Sequence, residues 1–240
     1  MNISVITNFG CQTNCWYCVW KDHPLKNVSL ETDWDKLETF LTEHADKGKV
    51  SVSGGGDCLY KYDIYKPWWD KFFSITDKLS MLVDVHSREV FKNDEFWKRV
   101  NRVVVSSDVF YKDENYFIYL VGMTKLRIVH VVTADSTIEN IKEYFHFKSM
   151  AEIFTPEADV QFTMKQLVGY DDGGNYKLFK KKFPNQFALD AGDYNIYYMP
   201  DNTITDKFLM GEIYESNMEV QNYKWVSNCN SSKRNKNSML

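Results

Sequence analysis

The stretch Ile3-Ser4-Val5-Ile6-Thr7-Asn8-Phe9-Gly10-Cys11-Gln12-Thr13-Asn14-Cys15-Trp16-Tyr17-Cys18 decides how the rest of the chain is read. Ile3 to Thr7 is rich in β-branched residues, the composition of a strand. Three cysteines follow it at the spacing Cys-x3-Cys-x2-Cys. The chain has five cysteines, an odd number, and the other two are Cys58 and Cys229. Clustered thiols in an odd set suit a metal or an iron–sulfur cluster better than a disulfide framework. A zinc site with His23 or Cys58 as fourth ligand and a redox Cys15-x-x-Cys18 pair are the alternatives on residue type alone.

Outward from this stretch, β-branched runs alternate with helical patterns. Strands are expected at Ile3–Thr7, Val50–Ser53, Met81–His86, Arg102–Ser106, Leu126–Thr133 and Val160–Lys165. Helices are expected at Glu31–Ala45, Pro67–Leu79, Asn93–Arg99, Asp113–Gly122 and Thr137–Phe147. Within them Trp34, Leu37 and Leu41 share a face, as do Trp68, Phe72, Ile75 and Leu79, and Ile138, Ile141 and Phe145; Pro67 suits a first turn. The segment Tyr116 to Val121 is apolar almost all round. A βα unit repeated about six times implies an α/β protein with a parallel sheet, open or curled into a partial barrel. In such folds the chemistry sits on loops at the carboxyl ends of the strands, where the cysteines fall.

Composition bounds the function. The 240 residues carry 29 basic and 33 acidic side chains, a net charge of −4, so no nucleic-acid partner is expected. No apolar run approaches the roughly 20 residues that cross a bilayer, so no membrane partner is expected and a soluble, cytoplasmic protein is. Beyond Leu167 the character changes. Gly169 to Gly174 has loop composition, and Lys177 to Lys182 is basic. Tyr194–Met199 and Thr203–Phe208 flank a Pro200-Asp201-Asn202 turn as in a hairpin. The polar residues 227–240 are expected to form a disordered tail, leaving 169–226 as a C-terminal extension.

The cysteine stretch resembles the signature of the radical S-adenosylmethionine (radical SAM) superfamily, over roughly residues 1–168. The resemblance implies a partial (βα)6 parallel barrel. It implies that Cys11, Cys15 and Cys18 ligate one [4Fe–4S] cluster and leave one iron for S-adenosylmethionine, with Tyr17 at the family's aromatic position and near the adenine. The run Ser53-Gly54-Gly55-Gly56-Asp57-Cys58 is similar to the family's Gly-Gly-Glu-Pro motif, which grips the amino group of the methionine moiety. Gly55 and Gly56 match its glycines, Asp57 stands for Glu and Cys58 for Pro. Ser106 and Asp108 match the strand end that meets the ribose. His86 and Arg88 end the third strand and Lys165 the sixth, facing the same site; His130 reads as core. Asp190 to Phe208 faintly resembles the start of an auxiliary-cluster domain, but with Cys229 as the only cysteine beyond Leu167 a second cluster is not expected.

The implied activity is reductive cleavage of S-adenosylmethionine and hydrogen-atom abstraction from an unidentified substrate, with a lean to peptide or small-molecule or nucleoside modification. A one-electron donor such as a flavodoxin or ferredoxin is the implied redox partner. A zinc or iron–sulfur binding module without catalysis, or an electron-transfer protein, on the same fold is the alternative.

Overall fold

The computed structural model describes residues 2–13, 15, 18, 20, 23, 25, 31–110, 113–154, 158–165, 173–183 and 195–206. Tyr17, the loop residues 169–172, Cys229, the tail 227–240 and the side chains of Phe145 and Lys165 lie outside the described residues.

Six parallel strands appear where the sequence places them: β1 (Asn2–Gly10), β2 (Lys49–Gly56), β3 (Leu82–Ser87), β4 (Arg102–Ser106), β5 (Lys125–Val131) and β6 (Val160–Lys165). Between and after them run α1 (Trp34–Glu43), α2 (Tyr62–Lys78), α3 (Asp94–Trp97), α4 (Glu114–Met123), α5 (Ile138–Phe154) and α6 (Asn175–Lys182). The strands follow one another across the sheet in chain order, from β1 to β6. Every crossover therefore steps the same way. With right-handed connections, this puts the intervening helices on one face.

The packing follows from that winding. Ile3, Val5, Val50, Val52, Val83, Val85, Val103, Val105, Leu126, Ile128, Phe162 and Met164 alternate along their strands and share one core with residues of all six helices. α1 contributes Leu37, Phe40 and Leu41, and its first turn is capped by Asp33, whose Oδ1 accepts from Lys36 N at 3.0 Å. α4 buries Tyr116, Phe117 and Leu120, so its apolar run is a helix packed on the sheet with only Ile118 left exposed. Each large side chain buried this way contributes about 1.5–3 kcal/mol. The residues between them on the strands look the other way, and most are polar: Ser4, Ser51, Ser53, Asp84, His86, Arg102, Ser106, Arg127, Gln161 and Thr163.

Three details differ from the sequence reading. α2 starts at Tyr62, five residues before Pro67, which lies inside the helix. Burial of Trp69, Phe72, Phe73, Ile75 and Thr76 outweighs the backbone bond that Pro67 cannot make to the Asp63 carbonyl. Trp68 is only half-buried. The basic run Lys177–Lys182 is helical, because Phe179 anchors it to the core while its lysines stay exposed. The hairpin forms as β7 (Asn195–Tyr198) and β8 (Ile204–Thr205), but β7 also pairs in parallel with β1. The extension thus supplies two strands to the same sheet, which has eight in the order β6-β5-β4-β3-β2-β1-β7-β8. Among the described residues no helix is long and apolar enough to cross a membrane.

Candidate functional site

The site is assembled where β1, β2, β3 and β4 end. β1 closes on Gly10, whose φ of +96° turns the chain into the cysteine loop. Cys11 is exposed; Cys15 and Cys18 are half-buried. The Cys18 amide donates to the Cys15 carbonyl at 3.1 Å, a turn that folds the two cysteines toward each other. Cys11 Sγ lies 2.9 Å from Thr13 Oγ1 and accepts from Thr13 N at 3.4 Å. None of the three is in a disulfide.

The glycine run forms the end of β2. A Cβ on Gly55 would overlap the Trp20 indole, and one on Gly56, where φ is +127°, would overlap the Gly10 carbonyl oxygen. Both glycines therefore serve close packing within the chain: Trp20 lies on Gly55, and the β1 and β2 ends touch at Gly56. The Asp57 amide seals that junction by donating to Gly10 O at 2.8 Å.

Asp57, expected to meet an ammonium group, is 1% exposed and its carboxylate is turned into the chain. Oδ1 accepts from Leu59 N at 2.8 Å, and both oxygens accept from Ser87 Oγ at 3.1 Å. Oδ2 also accepts from the Arg88 amide. Burial pushes the Asp57 pKa up, and these donors, with the nearby Arg88 charge, pull against it.

Arg88 joins the strand ends. Its Nη1 donates to Cys15 Sγ, and its Nη2 donates to Ser106 Oγ at 2.6 Å and to Asp108 Oδ1 at 3.1 Å. Ser106 and Asp108 are thus brought together with the cysteine loop through Arg88, which the sequence offers, with His86, as a contact to substrate or to the S-adenosylmethionine carboxylate and which here bonds to the chain itself. His86, two residues earlier on β3, is exposed on the polar face.

The other sequence candidates lie apart. Cys58 is fully buried in the helix-side core, and its thiol donates to His86 O at 3.0 Å. Burial pushes that thiol's pKa well up. His23 is buried, stacked on Trp20, and accepts from Leu25 N through Nδ1 at 3.1 Å. His130 is core, between Ser107 Oγ and Ser136 Oγ, each at 3.2 Å.

The donor chemistry of the loop fits an iron–sulfur cluster: three thiols outside any disulfide on one short segment, none fully buried. Among the described residues no three His, Cys, Asp or Glu side chains are gathered closely enough to hold a metal ion.

No protein-family model matches the chain, and no curated protein matches it in sequence.

Proposed function

We propose that the chain is a radical S-adenosylmethionine enzyme on a partial (βα)6 parallel barrel. The observation that carries this reading is the place of Cys11, Cys15 and Cys18: three thiols outside any disulfide on the loop leaving β1, at the carboxyl ends of strands that follow one another in chain order. One-way winding with all six helices feeding a single core is the arrangement from which a sheet curls toward a barrel, with its polar face inward.

Cys11, Cys15 and Cys18 would hold a [4Fe–4S] cluster. Reduced by a flavodoxin- or ferredoxin-like donor, such a cluster supplies the electron that cleaves S-adenosylmethionine, giving methionine and the 5′-deoxyadenosyl radical that takes a hydrogen atom from substrate. The chain's own part is binding, orientation and exclusion of water. Tyr17, the backbone of Gly55 and Gly56, Ser106 and Asp108 are the residues we assign to the S-adenosylmethionine grip. The polar sheet face, with His86, Arg127, Gln161 and Thr163, suits a hydrophilic substrate rather than a lipid.

The electron-transfer reading needs a fourth protein ligand. Cys58 donates into the core and weighs against it. The test is iron content after anaerobic reconstitution. Wild-type protein is expected to take up four irons per chain, the number in the proposed cluster, with the broad absorption of an iron–sulfur cluster. Cys15→Ala should lose it while circular dichroism stays native, and Cys58→Ala should keep it. Normal iron in Cys15→Ala contradicts the assignment.

A further inference from the structure

Both carboxylate oxygens of Asp57 are engaged within the chain, and all of their donors lie on the turn after β2 or at the end of β3. Three donors, Leu59 N, Ser87 Oγ and Arg88 N, hold the two oxygens, the single Ser87 hydroxyl hydrogen lying between both of them. A side chain that is 1% exposed has little left to offer a ligand. What the carboxylate does is local and mechanical. Its own amide fastens β2 to Gly10 at the mouth of the cysteine loop. Its oxygens fasten Ser87 and the main chain of Arg88. From that fixed main chain the guanidinium reaches Cys15 on one side and Ser106 and Asp108 on the other.

We infer that Asp57 is a positioning residue: it does not contact the ligand but sets Arg88, which ties the cysteine loop to the end of β4. The glycine run and the third strand then work as one unit. The consequence for S-adenosylmethionine rests on the function proposed above; the coupling of Asp57 to Arg88 does not. The second group in the unit is Ser87, which donates to both oxygens of Asp57 and accepts from Glu89 N at 3.0 Å. Ser87→Ala loosens the clamp while leaving the carboxylate in place. Asp57→Asn keeps the size but turns an N–H donor against the Leu59 or Arg88 amide.

The coupling is read first in the full-length, metal-free protein by ¹⁵N NMR. The backbone amide and Nε–Hε signals of Arg88 are identified by their change in Arg88→Lys. Both signals are expected to shift in Ser87→Ala and further in Asp57→Asn, and to stay fixed in the control Thr39→Ala, an exposed position of α1. If Asp57→Asn does not fold, Ser87→Ala decides alone. Unmoved Arg88 signals in folded variants overturn the inference.

The role is read next by equilibrium dialysis of S-adenosylmethionine against reconstituted protein. Asp57→Asn should weaken binding about tenfold in the wild-type background and less than about twofold when Arg88→Met is already present, because residues acting in series are non-additive. Equal losses in both backgrounds mean that Asp57 touches the ligand itself, which overturns it. Reconstituted wild-type protein that binds no S-adenosylmethionine removes the proposed function, and the NMR result then stands alone for the positioning role.

Discussion

At the scale of single residues, the site is a set of close approaches. Gly55 and Gly56 leave no room for a side chain, since Trp20 and Gly10 already fill it. Gly55→Ala and Gly56→Ala should each destabilise the metal-free fold by about 1–3 kcal/mol, read as a lower urea midpoint; an unchanged midpoint contradicts the packing. His130 gives a pH signature. Burial pushes its pKa down from 6.5 to about 4, only partly opposed by Asp108. The folded state therefore holds the neutral ring, while the unfolded chain protonates near 6.5. That contribution to stability is full above 6.5 and is lost as pH falls toward 4, by roughly 3 kcal/mol in all. His130→Gln should flatten the fall in unfolding free energy between pH 6.5 and 4, and an equally steep fall contradicts the assignment. The cysteine spacing was legible because its residues are contiguous. The partners of Asp57 were not, because Ser87 and Arg88 lie 30 and 31 residues away and no local pattern encodes that meeting.

At the scale of elements, strand identity was legible from β-branched runs and helix identity from apolar spacing. What was not legible is how the last strands close on the first helix. Asn202, in the turn between β7 and β8 with φ of +62°, accepts through Oδ1 from Asp33 N at 2.9 Å and from Tyr198 OH at 2.8 Å. Its Nδ2 donates to Glu31 O at 3.1 Å. One amide side chain thus joins the hairpin to the N-terminus of α1, across 169 residues of sequence. The sequence showed only a turn residue that tolerates a left-handed backbone. Asn202→Ala should cost about 1–3 kcal/mol, and Asn202→Gly should recover only the part due to backbone strain. Equal stability of Asn202→Ala and wild type, measured by thermal unfolding, contradicts the tie. α2 carries a second element-level lesson: Pro67 reads as a first-turn residue, yet the helix begins ahead of it, where Tyr62 packs on Phe91 and Phe96 and Tyr65 stacks on Phe9.

At the scale of the whole molecule, the chain-ordered sheet was readable from the βα alternation, whereas the parallel pairing of β7 beside β1 was not, since it joins residues nearly 200 positions apart. That pairing covers an edge of β1, the strand that carries the cysteine loop. A chain ended at Phe183 removes β7 and β8; it should unfold at lower temperature and elute as larger species on size exclusion, and a stable monomer contradicts a structural role for the extension. The proposed function assigns the thiols at the end of β1 to radical chemistry on S-adenosylmethionine. The most direct test is anaerobic reconstitution with iron and sulfide, addition of dithionite and S-adenosylmethionine, and chromatographic quantification of 5′-deoxyadenosine. 5′-Deoxyadenosine is expected from the wild-type protein and none from Cys11→Ala, Cys15→Ala or Cys18→Ala. Tight zinc binding and no 5′-deoxyadenosine from intact, fully reduced protein would contradict it.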